Sequence, residues 1–266
     1  MAATNFSAAS RSGIVARALV LPAALLLLWV LLDALGALKG GIVVSPSQVF
    51  GTAYEGFADG SLPGAALATL LRALTGWAIG ALAGLVFGLI LGLSGIARNL
   101  FDPSISSLRQ IALFAWIPLL SAWLGNGEAM KITLIALGAF FPMALGTQAG
   151  CQNVPAPFRE VGRVLELDRR ATITAIIVPA ALPSILVGLE LSLNIAWLGT
   201  FGAEYLIGTG YINGMGDGLG AYLAAAREYA RMDQVLLGVL FLALIGLGLD
   251  RLVLGFSRRL VSWRTP

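Results

Sequence analysis

Apolar residues run in long uninterrupted blocks along this chain, and the charged residues stand at the ends of those blocks. A block of about 20 mainly apolar residues is what one helical crossing of a bilayer needs. The first covers 19–38, with Asp33 as its one charge and Arg11, Arg17 and Lys39 as flanks. The second lies between Arg72 and Arg98, which enclose 25 uncharged residues, and starts as early as Ala65. Arg109 and Glu128 enclose a third of 18 residues, interrupted at Pro118. The fourth lies between Lys131 and Arg159. The fifth follows Arg170, passes Pro179 and Pro183 and reaches Ile207, and the sixth covers 234–249 and a little beyond. A backbone facing lipid must satisfy its own hydrogen bonds, so the prediction is about six transmembrane helices.

Basic residues favour the cytoplasmic side of a membrane. With the N-terminus inside, Arg11, Arg17, Arg98, Arg109, Arg159, Arg163, Arg169, Arg170 and the four arginines between Arg251 and Arg264 fall on the inner side. Lys39, Arg72, Lys131, Arg227 and Arg231 fall outside. That split predicts both termini in the cytoplasm and an even number of spans. A cleaved signal peptide is the other reading of the first block, but its core is long for one and more spans follow. Two outer segments are long. In 40–62, Ser45-Pro46-Ser47 marks a helix start, and Val49, Phe50, Tyr54 and Phe57 predict a short amphipathic helix on the membrane surface. In 208–233, a glycine-rich stretch gives way to a helical pattern over 222–229. The chain divides into a cytoplasmic segment 1–18, one transmembrane unit 19–257 with an inner loop at 153–170, and a cytoplasmic tail 258–266.

Composition agrees with the pattern. Of 266 residues, 58% are hydrophobic and 12% charged, and the mean hydropathy is +0.87. A soluble domain carries about 25% charged residues. The 33 glycines suit close helix packing in lipid. Gly76, Gly80, Gly84, Gly88 and Gly92 recur every fourth residue and predict one smooth packing face on the second span. One cysteine, Cys151, and no histidine argue against a metal centre and exclude a histidine-based catalytic triad. The net charge of +3 is spread over span ends, which does not suggest nucleic acid binding.

The inner loop between the fourth and fifth spans is the most informative stretch. Pro155 and Pro157 break the preceding helix. Phe158, Val161, Leu165 and Val164 then recur at helical spacing beside Glu160, Arg163, Glu166 and Asp168. Such a short amphipathic helix either lies on lipid or docks a cytoplasmic partner, and composition leaves both open.

Here the chain resembles the permeases of ABC importers. Their inner loop carries a pattern of Glu-Ala-Ala, three residues, Gly, nine residues, then Ile-x-Leu-Pro. On this sequence it falls without a gap on Glu160, Val161 and Gly162, with Glu166 in place of the glycine, then Ile176 and Val178-Pro179. More of the chain is similar to one branch, the permeases for sulfonates, taurine, nitrate and bicarbonate. The supporting runs are 69–76, 108–119, 127–132, 137–142, 179–185, Ala196-Trp197, Ala203-Glu204 and 246–250, covering about 65–260. The glycine-rich outer stretch after Gly208 is atypical of that branch.

The resemblance implies an all-α, type I importer permease of a bacterial inner membrane with a cytoplasmic coupling helix. It implies two permease chains as a homodimer, two cytoplasmic ATPase subunits docked on those helices, and a periplasmic or lipid-anchored binding protein. Phe158, Glu160, Val161, Gly162, Arg163, Leu165 and Leu167 would couple to the ATPase, with Gly162 letting the two backbones approach. No G-x-x-x-x-G-K-[ST] phosphate loop occurs in the sequence, so ATP and Mg would sit on the partner, with no cofactor bound by this chain. The expected cargo is a small anion, an aliphatic sulfonate or taurine, with nitrate or bicarbonate as the alternative.

Five residues are candidates for the pathway. Arg72 has the planar fork that suits an oxyanion, yet an arginine near the outer end of a span ordinarily snorkels to headgroups, and that anchor reading is preferred. Glu190 and Glu204 lie in or near the fifth span, where a charge is costly. Each either touches the pathway or makes a structural hydrogen bond, and Glu204 is placed in solvated surroundings at the outer end. Trp116 and Pro118 mark a break that either lines a pathway or simply fits its neighbours. An ion-coupled secondary transporter would want paired mid-membrane carboxylates and an internal repeat, and a membrane enzyme would want clustered titratable groups. Neither pattern is clear in the sequence.

Overall fold

A computed structural model describes residues 9–36, 44–207 and 218–260, and every regular element among them is helical. The glycine-rich stretch after Gly208, and most of the two terminal tails, lie outside the described residues. Helix α1 spans Ala9–Ala34 and carries the first apolar block. Next comes α2, Pro46–Ala58, started by a capping box: the Ser45 hydroxyl accepts from the Gln48 N–H at 3.2 Å, and the Gln48 side chain accepts from the Ser45 N–H at 3.1 Å. Its Val49, Thr52 and Gly56 face inward while Phe50 and Tyr54 stay exposed.

Four helices are each long and apolar enough to cross a bilayer: α3 (Ser61–Leu93), α6 (Glu128–Gln152), α8 (Arg169–Ile207) and α10 (Met232–Leu260). At 33 residues, α3 is about 50 Å long against a hydrocarbon core of about 30 Å. It starts eleven residues before Arg72, so that arginine lies well inside the helix rather than at its outer end.

The third predicted span takes a different form. Between Arg109 and Glu128 there is a 3-10 turn, Leu113–Trp116, and an eight-residue helix α5, Ile117–Leu124. Only together with α4, Gly95–Leu108, is it long and apolar enough for one broken crossing or a re-entrant loop, and the two arms meet at 93°. Pro118 is not the cause. It sits in the first turn of α5, where no intrahelical N–H is required. The break lies upstream, at 109–112, and Gly125, at φ +73°, ends the short arm.

The core is the trio α3, α6 and α8. The glycine stripe of α3 lies flat on α6, which runs in the same direction. A Cβ on Gly76 would stand 2.6 Å from Ile135, one on Gly92 2.6 Å from Cys151, and one on Gly80 would strike the Ala136 carbonyl. The predicted packing face is therefore present, and only hydrogen fits there. On the other side of α6, Gly146 and Gly188 let α8 approach, their backbones in mutual contact. Trp77 of α3 donates to Ser192 of α8 at 2.9 Å. Helix α9, Leu219–Glu228, and the start of α10 close one end, where Thr52 of α2 donates to Asp233 at 2.6 Å.

Candidate functional site

Three places along the bundle carry chemistry. The first is a closed polar knot where α3, α6, α8 and α9 meet. Arg72 forks onto Glu128, Nε to Oε2 at 2.7 Å and Nη2 to Oε1 at 2.6 Å. Its Nη1 also donates to Glu204 Oε1. The other Glu204 oxygen accepts from the Thr69 hydroxyl at 2.8 Å and from the Gly220 N–H at 2.9 Å. Thr69 in turn accepts from the Leu219 N–H at 2.7 Å. Lys131 stands 4.0 Å from Glu128. Arg72 and Glu204 are both 0% exposed. The snorkelling reading of Arg72 is thereby overturned, and so is a solvated Glu204. A guanidinium shared by two carboxylates has its own charge compensated by its own protein, and two cations face two anions in the knot.

The second place is the opposite end. Helix α7, Ala156–Val164, starts at Pro155 with Pro157 in its first turn. Arg159 swings back to donate to the Cys151 and Gln152 carbonyls, at 3.2 and 2.7 Å, and so caps the end of α6. The α7 helix ends in a Schellman turn: Leu167 N–H bonds the Gly162 carbonyl and Glu166 N–H bonds the Arg163 carbonyl, both at 3.0 Å. Glu166 supplies the left-handed residue, at φ +49°. Asp168 then caps the start of α8 through the Ala171 N–H at 2.9 Å.

Phe158, Val161, Val164 and Leu165 are all more than half exposed, and the charged flanks Glu160 and Arg163 are exposed as well. Phe158 and Val161 border a groove of about 420 Å³ shared with Ile176, Pro179 and Pro183. Leu167 is half-buried. Gly162 departs from its expected role. It is buried, and a Cβ there would stand 2.9 Å from Ile176 Cδ1. The close approach it permits is to its own chain, at the π-helical turn Thr172–Ile177 inside α8.

The third place is the bend of the broken span. Arg109, Leu113 and Trp116 line a cavity of about 260 Å³ with Phe141 and Pro142 of α6 and Ile195 of α8. Of the expected pathway residues, Trp116 lies in this cavity and Pro118 two positions beyond it. Arg72 and Glu204 share the polar knot. Glu190 joins neither; it is half-buried in the middle of α8 and makes no hydrogen bond or ion pair among the described residues. Arg109 was assigned to an inner loop by its place at the end of an apolar block. The structure sets it beside the middle of α6, among the residues that line the cavity at the bend.

Residues 80–262 match the family of binding-protein-dependent transport system inner membrane components. The chain belongs to that family. A Bacillus subtilis protein named as an aliphatic sulfonates transport permease is 36% identical over 93% of this permease and 87% of its own length. The taurine transport system permease of Escherichia coli is 32% identical over 79% of this chain and 74% of its own. A nitrate import permease of Synechocystis is 31% identical over 90% and 86%. The match region takes in the bend, the α7 loop and the greater part of the glycine stripe.

Proposed function

We propose that this permease is the membrane subunit of an ATP-driven importer and that its cargo is an aliphatic sulfonate or taurine. The relatives named for sulfonates and taurine support that cargo; the nitrate relative supports a second reading, nitrate or bicarbonate. The chain lies in a bacterial inner membrane with both termini in the cytoplasm. Two copies form the pathway, since one copy leaves the apolar and polar face of α8 that carries Val187, Leu191, Asn194 and Leu198 exposed. A cytoplasmic ATPase holding ATP and Mg docks on each α7, and an external binding protein delivers the anion.

The observation that carries this reading is α7 itself. A nine-residue helix leaves four large apolar side chains in the open while its buried glycine locks it to α8. Phe158, Val161 and Leu165 are the anchors for the ATPase, and Glu160, Arg163 and Leu167 flank them. The test is co-purification from membranes followed by uptake. The expected result is an ATPase subunit in twofold ratio to a permease dimer, and ATP-dependent accumulation of labelled taurine once the binding protein is added. A complex that purifies without any ATPase overturns it. One permease copy beside a different second permease overturns the homodimer alone.

A further inference from the structure

The cation that greets the anion is not the one buried in the polar knot. The cavity at the bend has three independent features of a place where a small anion rests. Its depth is the first. Leu137 to Leu145 line it from the middle of α6, and Ile195 from the middle of α8. Arg109 is exposed there, and its guanidinium has no ion-pair or hydrogen-bond partner among the described residues. A guanidinium at the level of mid-α6 in a membrane-spanning bundle is expected to face protein or water rather than lipid.

The second feature is backbone. At 109–112 the chain is not helical, and irregular backbone at membrane depth is tolerated only where protein or a water-filled cavity meets it. Across the cavity, Pro142 lacks the N–H that would bond the Gly138 carbonyl, so that wall too carries a polar group without its usual helical partner. The third feature is charge and size. No carboxylate lines the cavity among the described residues. One water needs on the order of 10–15 Å³, so about 260 Å³ takes a hydrated anion of a few heavy atoms.

We infer that Arg109, at the bend between α4 and α5, is the anion-binding residue of the pathway, its fork taking the oxygens of a sulfonate-like group while Trp116 and Phe141 wall the site. The inference rests on the importer reading above. The bent span makes the assignment physical: a straight third helix would leave Arg109 at the membrane surface.

Two measurements test it. In the first, Ile111→Cys, in the same cavity wall, is made with Arg109 retained and buried Cys151 replaced by Ala, and membranes are treated with 2-sulfonatoethyl methanethiosulfonate, an anionic reagent confined to water. Modification is expected, and methanesulfonate should slow it. No modification overturns the inference, and modification that methanesulfonate leaves unchanged overturns the anion site. In the second, the full complex with its ATPase and binding protein is placed in vesicles and taurine uptake is measured. Arg109→Gln should lower uptake by roughly ten- to hundredfold, the scale of one lost charge-assisted hydrogen bond. Arg109→Lys should recover part of it, because lysine keeps the charge without the fork. Normal uptake by Arg109→Gln sinks the inference. A wild-type complex that accumulates no taurine, nitrate or methanesulfonate counts against the importer reading, and the cysteine measurement still decides the site.

Discussion

The two ends of this permease solve opposite problems with the same kinds of residue. At the end closed by α9, Arg72, Glu128, Glu204 and Thr69 are buried and bonded to one another. At the α7 end, Glu160, Arg163 and Glu166 are exposed, and the apolar residues among them are exposed as well. A buried charge keeps its place only when every partner is present, so the knot holds four elements in fixed register. Helix α7 has spare bonding capacity and spare apolar surface, which is what a docking element needs. Polar residues inside a membrane protein are therefore not all candidates for the pathway: the knot is a clasp, and among the described residues Arg109 and Glu190 stand apart from it without an ion pair.

Breaking the clasp should have the largest effect. Arg72→Met leaves Glu204 without its guanidinium and Glu128 with Lys131 alone, 4.0 Å away, and removing one partner of a buried pair costs about 3–5 kcal/mol. The expected outcome is loss of monodisperse permease on extraction, with little protein in the membrane. Arg72→Lys should restore only part of the stability, since one ammonium cannot reproduce the fork onto Glu128. Thermal midpoints of the three proteins in one detergent check this. A Lys variant as stable as the wild type would revive the surface-anchor reading.

The α7 end should respond in the other sense. Phe158→Ala should leave the melting of the permease unchanged, because the ring is already half in the open. Its effect falls on assembly. Burying a phenylalanine is worth about 1.5–3 kcal/mol, so affinity for the ATPase should fall by roughly ten- to a hundredfold. Titration of the ATPase onto permease in nanodiscs reads that directly. Undiminished binding would mean that α7 lies on lipid.

One substitution type sharpens the contrast further. Gly80→Ala drives a methyl into the Ala136 backbone carbonyl, which cannot move without parting α3 from α6. Overpacking of that kind costs about 1–3 kcal/mol. Gly162→Ala meets only the tip of Ile176 at 2.9 Å, a flexible side chain, and should cost less than about 1 kcal/mol. Equal losses in melting temperature at both sites would mean that the α7 turn is as rigid as the core.

What was legible in the sequence was local. The Ser45 helix start, the glycine repeat and the α7 pattern all depend on residues within a few turns of one another, and the structure has each of them; of the six apolar blocks it has four as helices long enough to cross, the third only as a bent pair and the first as a shorter apolar helix among the described residues. The clasp was not legible, because Arg72 and Glu204 are 132 residues apart. Nothing near Arg72 announces a distant carboxylate, so the nearest local explanation, snorkelling, was preferred and proved wrong. The bend was hidden for a related reason. Arg109 ends an apolar block in the sequence, and only the 93° turn places it at the level of Phe141. Gly162 was assigned outward because its partner, Ile176, lies beyond the next helix start.

The smallest effect concerns the turn that ends α7. Both Glu166 and Ala230 occupy left-handed positions, at φ +49° and +54°. Each closes a helix by the same pair of bonds; after α9, the Arg231 N–H reaches the Ala226 carbonyl at 2.8 Å and the Ala230 N–H reaches the Arg227 carbonyl at 3.1 Å. A side chain in that conformation costs about 1–2 kcal/mol, and glycine avoids the clash. The family's loop pattern has glycine at the place Glu166 occupies, yet the turn forms here all the same. Its geometry is imposed by Gly162 below and by the Asp168 cap on α8 beyond. Glu166→Gly should therefore stabilise the end of α7 by on the order of 1 kcal/mol, seen as slower amide exchange at Glu166 and Leu167. Ala230→Gly should do the same at Ala230 and Arg231. If Glu166→Gly tightens the turn but weakens ATPase binding, the glutamate is itself a contact of the docking surface. If exchange quickens in both variants, the left-handed turns are not what holds these two helix ends.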